Sequence, residues 1–372
     1  MKIDAYIVEE TNAPFSRDTV ELADPVPGEV LVRNLAVGVC HTDMNTQAGN
    51  MPYELPGILG HEGAGVIEAV GDGVTDFAIG DRVVLGWPYC GACRNCIAGE
   101  HRYCLHIGEA LVGGHRLREP GAGTSGYSRD DGKPINGHFF GQSSFATHSL
   151  VHASSLVKVD SEVDLALAAP LGCGITTGAG AVFNSVRPEP GAAIVVIGAG
   201  AVGLGAIMAA VNTPATTIIA ADLSDDRLRL AHELGATHII NSGNTNLVEE
   251  ILKICPNGAD AVLDCTGVIG VIEQAAEAVA MLGSLVLIGG APAEASFRLD
   301  HFRTLWGQRV IGVLGGGSTS TQLIPTILEL HRQGRFPLEK LVKTYAFDDL
   351  EQAIADTSAG TTVKAVLELD QG

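Results

Sequence analysis

Basic residues are scarce in this chain. Its 372 residues hold 23 Lys and Arg against 43 Asp and Glu, a formal charge of −20 at pH 7. That balance opposes binding to nucleic acid or to anionic membranes, both of which need positive charge on the protein. The first residues, Met1-Lys2-Ile3-Asp4, lack a basic segment followed by an apolar one, so no secretory signal is expected and a cytoplasmic location is. Unbroken apolar runs of membrane length are missing as well. Residues 192–211 carry no charge, but Gly198, Gly200, Gly203 and Gly205 interrupt them and the first part is β-branched. A strand, a glycine turn and a helix explain that stretch better than a membrane span does. Internal repeats and low-complexity tracts are absent. With 46% hydrophobic and 18% charged residues the chain is expected to bury a large core, in about two domains at ~150 residues each.

Cysteine is sparse, eight in all, yet half of it falls in one place: Cys90, Cys93, Cys96 and Cys104 lie within fifteen residues. Two-residue gaps let a tight turn aim successive thiolates at one point, which suits the closed, all-sulfur, tetrahedral geometry of a structural Zn²⁺. Disulfides fit poorly, because no secretory signal is evident and the other four cysteines are scattered.

Residues 1–174 read mainly as β, with short apolar runs at 30–33, 65–70 and 81–85 bounded by Gly, Pro and Asp. Residues 108–137 are rich in Gly, Ser and charge and read as a long surface excursion. Over 175–313 the texture changes. Strand-like runs at 192–197, 217–221, 238–240, 261–263, 284–288 and 309–314 alternate with helical patterns such as 225–234 and 271–281, which predicts an α/β domain with a parallel, doubly wound sheet. A helix near 321–333 and a strand at 363–369 are expected to return the chain, over 314–372, to the first domain.

Gly198-Ala199-Gly200-Ala201-Val202-Gly203 follows a strand and opens a helix, the context in which such a loop binds a dinucleotide. Gly198 permits the turn, Gly200 admits a pyrophosphate and Gly203 lets the helix pack closely. Asp222, nineteen residues beyond Gly203, ends the next strand, where a carboxylate accepts hydrogen bonds from ribose hydroxyls and repels a 2′-phosphate. NAD is therefore expected over NADP, although Arg227 nearby is a cation that could tolerate a phosphate.

Three further fragments are far apart: Cys40-His41-Thr42-Asp43, Gly60-His61-Glu62 and Gly172-Cys173-Gly174. Taken in order with the four-cysteine lobe and the glycine loop, they resemble the zinc-dependent medium-chain alcohol dehydrogenases over essentially the whole chain. The segments 137–147 and 170–180 are most similar to the aryl (benzyl) alcohol dehydrogenase branch.

The resemblance implies a mainly β, GroES-like catalytic domain beside a Rossmann domain, and two zinc ions per chain. Cys40, His61 and Cys173 would hold the catalytic zinc, with Glu62 behind it as a transient ligand and Asp43 fixing the tautomer of His61. Cys90, Cys93, Cys96 and Cys104 would hold the structural one. The reaction implied is interconversion of primary aromatic or allylic alcohols and aldehydes with NAD. Zinc would polarise the alcohol oxygen, Thr42 would start the proton relay and hydride would go to nicotinamide C4. A glutathione- or mycothiol-dependent formaldehyde dehydrogenase, or a non-catalytic zinc and NAD sensor, is the alternative. Where the best-studied relatives have a histidine three residues after the hydroxyl residue, this chain has Asn45, which cannot titrate. Water reached through the nicotinamide ribose is expected to take the proton.

By the same similarity His41 and Lys364 would meet the cofactor phosphates, Thr177 the nicotinamide, and the backbone at Gly289 and Leu314 its carboxamide. Trp87 and Phe145 would wall the substrate pocket. Cys255 and Cys265 match no zinc position and read as core thiols. Relatives are oligomers built through the nucleotide domain, so a homodimer with 309–314 as edge strand is expected.

Overall fold

The computed structural model describes residues 1–117 and 125–369. The chain divides into two units, one of residues 1–173, 319–329 and 338–372, the other of 174–318 and 330–337.

In the first unit the described strands form two sheets. One runs Gly57–Ile58, Lys2–Val8, Ser16–Leu22, Tyr127–Ser128, Pro134–Ile135. The other runs Leu156–Lys158, Arg82–Leu85, Gly63–Val70, Glu29–Gly38, Lys364–Glu368, Val342–Ala346, with His148–His152 also paired to Glu29–Gly38. Glu29–Gly38 is buried along nearly its whole length because it has partners along both edges. Its end delivers Cys40 to a short helix, His41–Gln47.

The 108–137 segment is more than a surface excursion. Helix Ile107–Val112 opens it, and its two short strands extend the first sheet. Tyr127 and Ile135 are fully buried in the core with Ile7, Leu22 and Leu150. Composition hid this, because two buried side chains decide the packing while the residues around them are polar. Residues 118–124 of that stretch lie outside the described residues.

His138 belongs to the same region, and it is buried. Its Nε2 accepts a hydrogen bond from the Gly126 N–H at 3.4 Å, and its ring meets Tyr127 edge-on at 5.7 Å. Burial, with the repulsion of Arg116, pushes its imidazole down to about 3 from an ordinary 6.5. Between those values the unfolded chain holds a proton that the folded chain does not, so stability rises with pH. The contribution is complete above pH 6.5 and fades toward pH 3, by on the order of 3–5 kcal/mol at 1.36 kcal/mol per unit. His138→Asn keeps a residue type that tolerates the left-handed backbone at φ 55. In urea unfolding followed from pH 7 to 4, this variant is expected to lose stability less steeply than the parent; parallel pH slopes would refute the assignment.

The second unit is a six-stranded parallel sheet in the order His238–Asn241, Thr217–Asp222, Ala193–Ile197, Ala259–Asp264, Val279–Leu287, Arg309–Gly312. The chain starts in the centre, builds outward to one side and returns to the other, which is the doubly wound order. The charge-free run resolves into strand Ala193–Ile197 and helix Ala201–Val211. No single helix among the described residues is long and apolar enough to cross a membrane. Glycine lets two helices meet here: a Cβ on Gly178, in Gly174–Gly180, would stand 1.8 Å from the Val202 carbonyl oxygen.

Two sequence expectations shift. The helix expected over 271–281 is Ile269–Glu277, and Val279 instead pairs with Ala259 as the start of a strand. Apolar periodicity runs on through this junction, so only sheet pairing marks the end of the helix. The return to the first unit comes at Thr319, because Gly315–Gly317 stays packed on the second: a Cβ on Gly180 would lie 2.3 Å from the Gly316 oxygen.

Candidate active site and metal centres

Three chain segments converge in the first unit. Cys40 caps helix His41–Gln47, His61 and Glu62 lie between strands Gly57–Ile58 and Gly63–Val70, and Cys173 ends the unit's first segment. One ligand atom from each of Cys40, His61, Glu62 and Cys173 lies within 4.8 Å of all the others. Gly60 permits the approach, since its φ is +95° and a Cβ would sit 2.4 Å from the Phe145 nitrogen.

Asp43 organises the group. Fully buried, its carboxylate accepts from the Cys40 N–H (3.0 Å), the Gly60 N–H (3.0 Å) and His61 Nδ1 (2.9 Å). With Nδ1–H committed to Asp43, Nε2 is the free donor atom of the ring, and it is buried without a hydrogen-bond partner. An orphaned imidazole nitrogen beside two cysteine sulfurs is a donor set suited to Zn²⁺. Burial opposes protonation of His61, but the Asp43 charge outweighs it and holds the imidazole well above its usual value. A cation at Nε2 would take the place of that second proton. The thiols are poised unequally: the hydrogen bond from Cys173 lowers Cys40 well below the ordinary thiol and raises Cys173. The Thr42 hydroxyl is 3.7 Å from Cys40 Sγ, and Asn45 is exposed one turn further along the helix.

Glu62 is held elsewhere. Lys364 Nζ donates to both of its oxygens at 2.9 Å and to the Val39 carbonyl at 3.1 Å, with both side chains buried. Burial pushes Glu62 up to about 7 against the pull of Lys364. Gly38 makes room for the pair, since a Cβ there would stand 2.1 Å from Glu62 Oε2. Lys364 was expected at a cofactor phosphate. Here its three ammonium donors are all used inside the fold, and it is the counter-ion of Glu62.

The pocket aromatics divide. Trp87 meets Phe140 edge-on at 5.1 Å, and Phe140 lies 4.5 Å from the His61 ring. Phe145 is fully enclosed, edge-on to Phe15 at 5.7 Å, and is a core ring rather than a wall. Phe140, which touches His61, has no role assigned from the sequence beyond its place in the 137–147 segment. Its left-handed φ of 51 lies in the Gly137–Gly141 stretch, whose glycines were the one available hint of an unusual backbone.

The second sulfur group is the lobe. Cys90 and Cys96 sulfurs are 3.9 Å apart, and those of Cys93 and Cys104 are 4.0 Å apart. Four sulfurs at ~2.3 Å around one zinc would stand about 3.8 Å from each other, so the spacing fits a metal, and all eight cysteines are free. Backbone N–H groups of Ala92, Cys93 and Leu105 point at these sulfurs at 3.3–3.5 Å.

In the second unit the glycine loop has the form expected. Gly198 has φ +93°, and a Cβ on Gly203 would stand 1.8 Å from the Gly198 oxygen. No protein atom lies within 4 Å of where a Gly200 Cβ would be, so space is left at the helix N-terminus for a pyrophosphate. Asp222 accepts from Ala199 N–H (2.6 Å) and Ser224 N–H (2.9 Å), which aims its carboxylate at the loop. Arg227 is half-buried on helix Asp225–Glu233, and burial lowers its pKa against the pull of Asp222. Thr177 is buried on Gly174–Gly180, Gly289 abuts the Gly267 nitrogen, and Leu314 is exposed; His41, in the first unit, is exposed.

Comparison with known proteins gives the family. Residues 26–161 match the family model of the alcohol dehydrogenase GroES-like domain, and residues 201–330 that of the zinc-binding dehydrogenase. The chain is 37% identical to geraniol dehydrogenase of Castellaniella defragrans over 98% of its length and 96% of that protein's. It is 34% identical to S-(hydroxymethyl)glutathione dehydrogenase of Paracoccus denitrificans, covering 99% of this chain and 100% of the other. The crystal structure of benzyl alcohol dehydrogenase from Acinetobacter calcoaceticus superposes with a TM-score of 0.95 at 38% identity, over 100% of both chains. With a buried, zinc-competent donor set, a four-sulfur lobe and a dinucleotide loop on one chain, this protein belongs to the zinc-dependent medium-chain alcohol dehydrogenase family.

Proposed function

We propose that the enzyme interconverts primary aromatic or allylic alcohols and their aldehydes, with NAD as the hydride carrier. The observation that carries this reading is the aromatic group at the donor set, with Trp87 against Phe140 and Phe140 against His61. Flat rings favour a flat, unsaturated substrate, and stacking adds ~1 kcal/mol beyond area burial. The benzyl alcohol and geraniol dehydrogenases among the relatives point the same way. When bound, zinc supplies Lewis-acid polarisation of the alcohol oxygen, and the nicotinamide accepts hydride.

Cys40, His61 and Cys173 would hold the metal, and Lys364 keeps Glu62 back as its ion-pair partner. Asp43 orients His61, and Thr42 takes the substrate proton at its hydroxyl. Asn45 cannot carry that proton onward, so water does. In the other unit Asp222 selects the ribose diol of NAD.

A substrate panel tests the reading. With NAD⁺, kcat/KM for benzyl, cinnamyl or geranyl alcohol is expected to exceed that for ethanol by on the order of 100-fold, the range that differential pocket contacts supply. NADP⁺ is expected to be at least ~10-fold poorer, the discrimination given by ~1.4 kcal/mol. Faster turnover of formaldehyde with glutathione than of any of these alcohols would replace the proposal with S-(hydroxymethyl)glutathione oxidation.

We also propose a homodimer through the second unit. Arg309–Gly312 is the last strand in the order of its sheet, and around it Met281, Leu282, Phe302, Leu305, Trp306 and Val310 are exposed. An apolar edge of this kind pairs with another strand unless it is covered. Val310→Pro removes a ladder donor and is expected to reduce the mass found by light scattering from two chains to one; an unchanged mass would exclude this edge as the interface.

A further inference from the structure

The lobe also reaches the aromatic group. Between Cys96 and Cys104, a single turn of helix, His101–Tyr103, carries Arg102 inward until it is 4% exposed. Its guanidinium carbon lies 5.0 Å over the Trp87 ring, and its Nη2 donates to the buried Ser320 hydroxyl at 2.6 Å. Next to it His101 stacks on Tyr89 at 4.0 Å with the rings 4° from parallel. Trp87 is 6% exposed within the core of the first unit, and its buried indole N–H makes no hydrogen bond. Its orientation therefore rests on the groups at its faces and edges. Arg102 and Phe140 are among these, and Phe140 continues to His61.

From this geometry we infer that Arg102 is a positioning residue for Trp87, and that the four-sulfur lobe thereby sets the shape of the substrate site. A planar cation over an aromatic face is attracted by the ring quadrupole, and more strongly when water is excluded. A guanidinium carries its charge and several donors on one rigid fork, so a single group can face the indole and also donate to Ser320, which an ammonium point charge does less well. Cys96 and Cys104 of the four-sulfur group flank Arg102, so the backbone that carries the cation is anchored at both ends. The inference rests on the proposed role of Trp87 at the substrate site, and the two fail separately in the following test.

Trp87 and Trp306 are the only tryptophans, so Trp306→Phe leaves Trp87 as the sole reporter. In that background Arg102→Met and Arg102→Lys are each expected to raise acrylamide quenching of Trp87 at least ~2-fold. In the parent chain both should lower kcat/KM for benzyl alcohol ~10-fold, the effect of losing ~1.4 kcal/mol of positioning, while ethanol changes less than ~2-fold. Zinc should stay at its parental count per chain. Unchanged quenching overturns the inference, as does an equal loss on both alcohols. Should the Met variant lose zinc, the Lys variant, which keeps the charge and removes the planar fork, decides by the same readouts. Trp87→Ala is the separate arm. If it leaves the benzyl-to-ethanol ratio intact, the pocket reading falls; if it shifts the ratio and Arg102→Met adds a further ~10-fold on top, the coupling between the two residues falls.

Discussion

Replacing His61 by Ala is expected to lower kcat by about 10⁴ or more and to halve the zinc content, from two ions per chain to one. His61 is the only imidazole in the donor set, and its Nε2 is the one buried ring nitrogen there with no protein partner. Removing it leaves two sulfurs and a Glu62 carboxylate already bonded to Lys364, too few free donors for a stable site. A Lewis acid at a reacting oxygen supplies several kcal/mol, and ~5.5 kcal/mol corresponds to 10⁴ in rate. Asp43→Asn gives the graded version. Asp43 accepts three hydrogen bonds, and an amide would turn a donor toward at least one of those N–H groups. Zinc affinity is expected to fall 10- to 100-fold, the usual effect of losing the group that orients a metal-binding histidine. Metal analysis with steady-state kinetics on both variants checks this. An inactive His61→Ala that still carries two zinc ions would show that the metal is held elsewhere.

Lys364→Met is expected to cost about 3–5 kcal/mol of stability without touching a zinc ligand. Glu62 is fully buried, and Lys364 supplies the ammonium hydrogen bonds to both of its oxygens. Stranding Glu62 leaves a buried carboxyl that must stay charged without its partner or take up a proton, and that penalty sets the magnitude. At ~2–4 °C per kcal/mol for a unit of this size, melting should fall by roughly 10 °C. Lys364→Arg keeps the charge and should lose much less. The double variant Glu62→Gln with Lys364→Met removes both charges and should regain most of the loss, because a neutral pair is far cheaper to bury than one unpaired ion. If the double variant melts no higher than Lys364→Met alone, the ion pair is not the source of the instability.

Much of this molecule can be read from short stretches of its sequence. The lobe is legible because its ligands are neighbours: Cys90, Cys93 and Cys96 lie within a turn or two of backbone, so spacing alone dictates that their sulfurs meet. The same holds for the glycine loop, where Gly198, Gly200 and Gly203 each answer a local requirement. The alternation of strands and helices from Ala193 onward follows from side-chain periodicity, and it predicted the parallel sheet.

Other features depended on contacts between distant residues. Cys40, His61 and Cys173 carry no shared local signal, and only resemblance to a family grouped them; their meeting requires the Glu29–Gly38 and Gly63–Val70 strands to be in register and Gly60 to let backbones touch. Similarity to the family places Lys364 at a cofactor phosphate, and pairing of its strand with Glu29–Gly38 buries it against Glu62 instead. Tyr127 and Phe140 sit in polar or glycine-rich stretches, yet one became core and the other a neighbour of His61. The sequence by itself determined the metal lobe, the nucleotide loop and the order of elements, because each is fixed by groups a few bonds apart. The tertiary structure alone decided which buried charge faces which and which ring touches His61, because those contacts depend on sheet register and close backbone approach between residues far apart in the chain.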